Sequence, residues 1–433
     1  MITADTQRAR TNTPRQVLFA SMVGTTVEFF DFYIYATAAV LVFPHLFFPA
    51  TDPASSTLAS LATFGIAFIA RPIGSALFGH FGDRIGRKRT LVLALMTMGL
   101  STFAIGILPP YSSIGITAPL LLALCRFGQG IGLGGEWGGA ILLAVENAPP
   151  NKRAIYGMFP QLGAPVGFMF SGSIFLVLSR WLTDKQFFSF GWRLPFLASA
   201  ALVLVGLYVR LTITETPAFQ ASMEREEQVG FPIVRVLQRH TRPLLAGILV
   251  CLAMFTIFYL MTVFTLSWGT TAMHYDRGKF LLIQLFGILF FALGIPVSSI
   301  LAERGRRPVM IAVTAMIALF GFALAPLFSA GTIGIVVMMV VGMTLMGLTY
   351  GPLGTIVSEL FPTAVRYTGS SLAFSLAGIL GASLAPYAAT WLATHYGLQY
   401  VGFYLSATAV LTLVGLLLID EKKDADITVT SNY

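Results

Sequence analysis

Twelve predominantly apolar runs, each of about 20 residues or more, divide the 433-residue chain and leave only short connectors between them. They lie at 17–43, 56–80, 90–108, 117–146, 154–179, 192–213, 243–270, 280–302, 308–328, 332–358, 367–393 and 398–419. A helix of that length crosses ~30 Å of hydrocarbon and satisfies its own backbone hydrogen bonds while doing so. The pattern predicts an all-α membrane protein with twelve transmembrane helices. Only 11% of the residues are charged, against roughly 25% in soluble proteins, which excludes a soluble enzyme. The net charge of +8 would suit nucleic acid only if it gathered on one face, and it is scattered through the connectors instead. No room remains for a separate soluble domain. The first run is too long for a signal-peptide core and is followed by no small-residue cleavage site, so it is expected to be retained.

The basic residues set an orientation. With the N-terminus inside, cytoplasmic segments hold 20 Lys and Arg, Arg15, Arg89, Arg210, Arg242 and Lys422 among them. The opposite side holds 5: Arg180, Lys185, Arg193, Arg277 and Lys279. This predicts both termini in the cytoplasm. Cys125 and Cys251 fall within apolar runs and read as small packing residues, and the five histidines show no metal-ligand spacing. No metal and no cofactor is expected.

An internal repeat emerges from the connectors. Glu146, Pro149 and Arg153 recur as Glu359, Pro362 and Arg366, 213 residues later, and the same offset carries Trp137-Gly138 onto Tyr350-Gly351. Gly79 to Lys88 (GHFGDRIGRK) has a shorter counterpart in Glu303 to Arg307 (ERGRR). The chain thus reads as two six-helix pseudo-repeats. The expected organisation is a tail at 1–16, a bundle at 17–213, a cytoplasmic linker at 214–242, a second bundle at 243–419 and a tail at 420–433. Within the linker, Phe231–Arg239 reads as an amphipathic surface helix.

The doubled G-x-x-x-D-R-x-G-R-K/R connector resembles the signature of the major facilitator superfamily. Val27-Glu28-Phe29-Phe30-Asp31-Phe32-Tyr33, Ala70-Arg71-Pro72-Ile73-Gly74, Arg126-Phe127-Gly128-Gln129-Gly130, Gly191-Trp192-Arg193-Leu194-Pro195-Phe196 and Glu215-Thr216-Pro217 narrow the resemblance. Together they are similar to the metabolite:proton symporter family, which includes transporters of shikimate, α-ketoglutarate and proline/betaine. The likeness runs from about residue 17 to 419. It implies the major facilitator fold and a multi-pass symporter of the bacterial inner membrane, without naming the substrate.

Charges at bilayer depth cost at least ~2.5–3.5 kcal/mol each on insertion scales and mark function by default. Five are found, all in the first half: Glu28, Asp31, Arg71, Arg126 and Glu136. At 1.5 Å per residue, Asp31 and Arg126 fall at about the same depth. Asp31 is expected to carry the coupling proton, with Arg126 adjacent and shaped to grip a substrate carboxylate. The other reading is a static ion pair serving helix packing. Glu28, Arg71 and Glu136 form a second cluster at one depth, either an alternative coupling site or a neutralised structural carboxylate. The residues expected near substrate are Arg126, Tyr35, Gln129, Gln161, Tyr259, Thr262, Gln284, Tyr350 and Ser375.

Gly130 to Gly135 matches G-x-G-x-x-G, but no strand precedes it. Gly130, Gly134 and Gly138 instead suit close helix approach. Asp83 is placed to face the positive end of a helix from the other half. In the resembled superfamily this contact, with Arg87 and the acidic ends at Glu146 and Glu359, closes the cytoplasmic side. Gly82, Arg84, Gly86, Arg153, Glu303, Arg306 and Arg366 complete the expected cytoplasmic gate. The reading is proton-coupled uptake of a small organic acid or zwitterion by alternating access, in a bilayer, with a monomer sufficient and no nucleic-acid partner. An antiporter or exporter shares this pattern. A non-transporting membrane sensor ranks far behind, because linker and tail are too short for a signalling domain.

Overall fold

The structure, a computed structural model, describes residues 13–49, 53–149, 151–212 and 232–419. Helix α1 (Pro14–Leu41) opens with a capping box in which Thr13 and Gln16 satisfy each other's backbone N–H, and Pro14 occupies the first turn. It is followed by α2 (Pro53–Ile85), α3 (Arg87–Ile107), α4 (Thr117–Glu146), α5 (Arg153–Trp181) and α6 (Leu194–Thr212). The second series is α7 (Thr241–Tyr259), α8 (Arg277–Ala302), α9 (Arg306–Ser329), α10 (Gly331–Glu359), α11 (Arg366–Gly378) and α12 (Leu398–Leu418). Helix α7 runs on through a π-helical turn, Leu260–Phe264, to Thr271. Helix α11 does the same through Ile379–Ser383 to His395. A short helix, Pro232–Arg239, precedes α7 where the amphipathic segment was expected.

Among the described residues, eleven helices are long and apolar enough to cross a membrane. The twelfth predicted run is α4, which coincides with 117–146 at both ends and is 30 residues long. It falls short on hydropathy rather than length, because Arg126, Glu136 and seven glycines interrupt it. Its position explains why this is tolerated. Helix α4 packs on α1, α2, α3, α5 and α11, and a helix enclosed by others needs little lipid-facing surface.

Helix pairing follows one scheme twice. Among the first six, α1 lies along α5 and α6, α2 along α4, and α3 along α4 and α6. Among the last six, α7 lies along α11 and α12, α8 along α10, and α9 along α10 and α12. The two sets meet along α5–α8 and α2–α11, with α4–α11 and α5–α10 inside them.

Close approach of α4 to α2 depends on two of the glycines singled out in the sequence. A Cβ on Gly130 would run into the Ala67 carbonyl oxygen, and one on Gly134 into that of Arg71. Backbone cannot yield as a side chain can, so these positions hold Arg71 against α4. Gly163 and Gly167 play the same part between α5 and α1, with Pro160 and Pro165 accommodated inside α5.

Candidate functional site

The seam between the two helix sets encloses a cavity of about 20 Å³, room for about one water molecule. Phe32, Tyr33, Phe258, Tyr259, Tyr350 and Phe374 contribute to its wall, and Arg71 brings the one full charge among the residues that line it. The Arg71 guanidinium stands 5.1 Å from the Phe374 ring centroid and 5.8 Å from that of Phe68. Among the described residues its Nε has no hydrogen-bond partner. A buried cation with spare donors in an aromatic chamber is suited to an anionic group of modest size.

Of the residues expected near substrate, Tyr259 and Tyr350 line this cavity; the others do not. Arg126 sits in an aromatic collar instead, 4.0 Å from the Tyr35 ring, 4.5 Å from Phe32 and 4.9 Å from Phe64. Tyr35 turns its hydroxyl to Thr63, donating at 3.1 Å. Thr262 lies in the π-helical turn, whose freed carbonyls at Met261 and Thr262 accept from Gln284 Nε2 at 3.2 and 2.6 Å. Thr262 and Gln284 therefore close a gap that the backbone opened, which leaves them away from the chamber. Gln161 accepts from Trp137 Nε1 at 3.1 Å and donates to the Tyr350 carbonyl at 2.9 Å. Ser375 meets Ser75 across the seam at 2.8 Å.

The expected contact between Asp31 and Arg126 is not formed. Arg126 Nη1 donates to Gln129 Oε1 at 3.0 Å, and Gln129 Nε2 donates to Thr102 Oγ1 at 2.8 Å. The carboxyl of Asp31 faces the hydroxyls of Thr102 on α3 and Ser199 on α6, within reach but without an aligned hydrogen bond. Depth alone had suggested adjacency. Gln129 and Thr102 stand between the two side chains.

The second cluster is also recomposed. Glu136 pairs with Arg210 of α6, not with Arg71. Arg210, one of the cations the charge asymmetry assigns to the cytoplasmic side, is 5% exposed and also donates to the Leu91 carbonyl at 3.1 Å. The sequence carried the signal: Arg210 stands inside the apolar run 192–213, not beyond it. Gly24 on α1 leaves space for its guanidinium. Glu28 is fully buried within the field of Glu136, Arg71 and Arg210, and neither of its oxygens has a hydrogen-bond partner among the described residues.

At one end of the bundle, some of the residues expected at a cytoplasmic gate meet across the seam. Glu303, at the end of α8, accepts from the Ile155 N–H in the first turn of α5 at 3.0 Å. This is the helix-end contact that the sequence assigned to Asp83, here made by its counterpart in the second half. Glu359 binds Arg306 at 3.1 Å and reaches Arg153 at 4.0 Å. Arg366 donates to the Phe361 carbonyl at 3.0 Å, and Glu146 ends α4. Gly82 lies under the Tyr367 ring, and Gly86 starts α3 with φ of 107°, a conformation that favours glycine. The side chains of Asp83, Arg84 and Arg87 lie outside the described residues. Tyr367 donates to the Gly135 carbonyl of α4, a further tie between the helix sets.

Comparison with known proteins shows the family to which the chain belongs. The family model described as Major Facilitator Superfamily matches residues 21–382. The inner membrane metabolite transport protein YhjE of Escherichia coli K12 is 55% identical over 419 residues, covering 95% of each chain. The shikimate transporter of the same organism is 37% identical over 421 residues, again covering 95% of each. Among solved structures, a partially occluded, inward-open form of the E. coli xylose transporter XylE superposes with a TM-score of 0.74 at 17% identity, covering 93% of this chain and 97% of that one. That last likeness concerns the fold alone.

Proposed function

Since the chain belongs to the major facilitator superfamily, whose members here are metabolite transporters and not enzymes, we propose that it is a proton-coupled symporter of the inner membrane. Its cargo is a small metabolite bearing a carboxylate, an organic acid or a zwitterion, taken up by alternating access. Two six-helix halves, both with termini on the cytoplasmic side, rock about the seam, and a single copy suffices. The observation that carries the substrate class is Arg71, buried among aromatic rings in the cavity between the helix sets. Once the halves rock apart and widen this cavity, a carboxylate there meets the unpartnered Nε–H of Arg71, and the rings take up an apolar or cationic body. Arg71 thereby takes the anchoring role that sequence reasoning gave to Arg126.

Proton coupling is assigned to Asp31. It is fully buried, its oxygens lack an aligned donor, and hydroxyls rather than a cation face it. A carboxyl so enclosed changes charge only when water reaches it, which is what a coupling site in an alternating carrier requires. Glu28 is the runner-up on the same ground, being equally buried and unbonded.

Purified protein in proteoliposomes loaded with a pH-sensitive dye tests the reading. Small carboxylates, shikimate-like acids, amino acids and betaines are added singly. Internal acidification by one of them, absent in empty liposomes and in Arg71→Gln protein, supports symport through this cavity. Alkalinisation would make the protein an antiporter. Binding with no pH change would remove proton coupling altogether.

A further inference from the structure

We propose that Gln129 and Thr102 act as positioning residues that carry the protonation state of Asp31 to Arg126. The inference rests on the reading of Asp31 as the coupling carboxylate, and it supplies a connection between two groups that do not touch.

Four fully buried side chains stand in line, Arg126 and Gln129 from α4, Thr102 from α3 and Asp31 from α1. The bonds already made all run one way: Arg126 Nη1 donates to Gln129, and Gln129 Nε2 donates to Thr102. Thr102 has a single hydroxyl proton, and it is spent on the Met98 carbonyl at 3.0 Å. Turning that proton toward Asp31 would complete an unbroken series of donations from a cation to an anion. Such a chain is cooperative, since each donated bond polarises the next, and low dielectric strengthens it. A protonated Asp31 needs no donor, so Thr102 stays with Met98 and the chain is cut at its last link. Arg126, whose Nη2 has no partner, is then held more weakly. Proton binding on α1 is thus felt on α4 without any ion pair being broken.

Other charged groups do not supply this connection. From α4, Glu136 is the charge whose field reaches Asp31, and it is occupied with Arg210 of α6. Arg71 on α2 faces Phe374 and Phe68. On α1 itself, Glu28 lies one turn away toward Glu136, and Tyr33 and Tyr35 point to Phe168 and Thr63. Helices α3 and α5 bring titratable groups only near their ends, Lys88 and Arg89 on α3 and Arg153, Tyr156 and Arg180 on α5 among the described side chains; Tyr208 lies near the end of α6, and Tyr259 ends α7. Ser199 is the second hydroxyl facing Asp31 and leads to no further charge.

The test is an infrared pH titration of the full-length protein in lipid, which needs no substrate. The protonated-carboxyl band lost in Asp31→Asn reports Asp31. In Arg126→Gln that band is expected to persist about one pH unit further into the alkaline range, an effect carried through Gln129 and Thr102 rather than by direct contact. In Gln129→Leu or Thr102→Val, the same Arg126→Gln change is expected to add little, while Thr102→Ser restores the full shift. An undiminished shift in both backgrounds overturns the relay and leaves Asp31 as the proton site. Absence of any Asp31 band that titrates removes both readings.

Discussion

Trp137 on α4 stacks flat on Phe374 of α11, with ring centroids 3.7 Å apart and planes 5° from parallel. The residues 213 positions away from each, Tyr350 and Gln161, meet across the corresponding seam between α10 and α5, where Gln161 donates to the Tyr350 carbonyl. Trp137 also donates to Gln161, so the two seams are joined by a single polar link. Arg71 lies over the same Phe374 ring. The ring that packs at the seam is thus also part of the wall of the cavity.

The first prediction concerns that stack. An aromatic pair contributes about 0.5–1.5 kcal/mol beyond its buried area. Phe374→Leu should therefore shift the closed-to-open distribution at this seam by about 2- to 10-fold. The reporter is Ser375→Cys in a background lacking Cys125 and Cys251, labelled with a membrane-impermeant maleimide. An unchanged labelling rate would mean that the stack follows closure without stabilising it.

Asp31→Asn is expected to abolish uphill uptake and to leave substrate exchange measurable, because asparagine holds the neutral form permanently. Uptake and counterflow in the same proteoliposomes separate the two. If both fall equally in folded protein, the coupling proton belongs elsewhere, and Glu28→Gln is the next variant.

Arg71→Gln should raise the apparent KM about 10- to 100-fold, as removal of a charge-assisted hydrogen bond worth about 1.5–3 kcal/mol would. Arg126→Gln should lower the maximal rate of uphill transport with less effect on KM. Initial-rate kinetics on whichever compound acidifies the liposomes decides this. The reverse pattern would return the substrate to Arg126 and its collar.

Span positions were legible because a run of apolar residues is a one-dimensional property: 117–146 is α4 to the residue. The repeated Glu-x-x-Pro-x-x-x-Arg connector was equally local. Which buried charges meet was not legible, since that depends on helix rotation and tilt, which depth estimates ignore. Asp31 and Arg126 fall at one depth by residue count, yet Gln129 and Thr102 stand between them. Arg210 reads as a cytoplasmic-side cation because it stands in the last turn of its helix, but its guanidinium turns inward to Glu136. The displacement of Thr262 and Gln284 from the cavity follows from a π-helical turn that no periodicity in Leu260–Phe264 announces.

The Glu136–Arg210 pair gives the last prediction. Its carboxylate is fully enclosed and its guanidinium nearly so, so removing one partner strands a buried charge at a cost of about 3–5 kcal/mol. Replacing both partners with neutral side chains of similar size strands nothing. Arg210→Met alone should therefore lower the unfolding temperature in detergent by several degrees, whereas Glu136→Gln with Arg210→Met should recover most of the loss. Gly24→Ala serves as a milder control, because its methyl would stand 2.7 Å from Arg210 Nη2 and push the guanidinium without removing it. Additive losses in the double variant would show that the two side chains stabilise the bundle separately, Arg210 through the Leu91 carbonyl and Glu136 through its neighbours on α4.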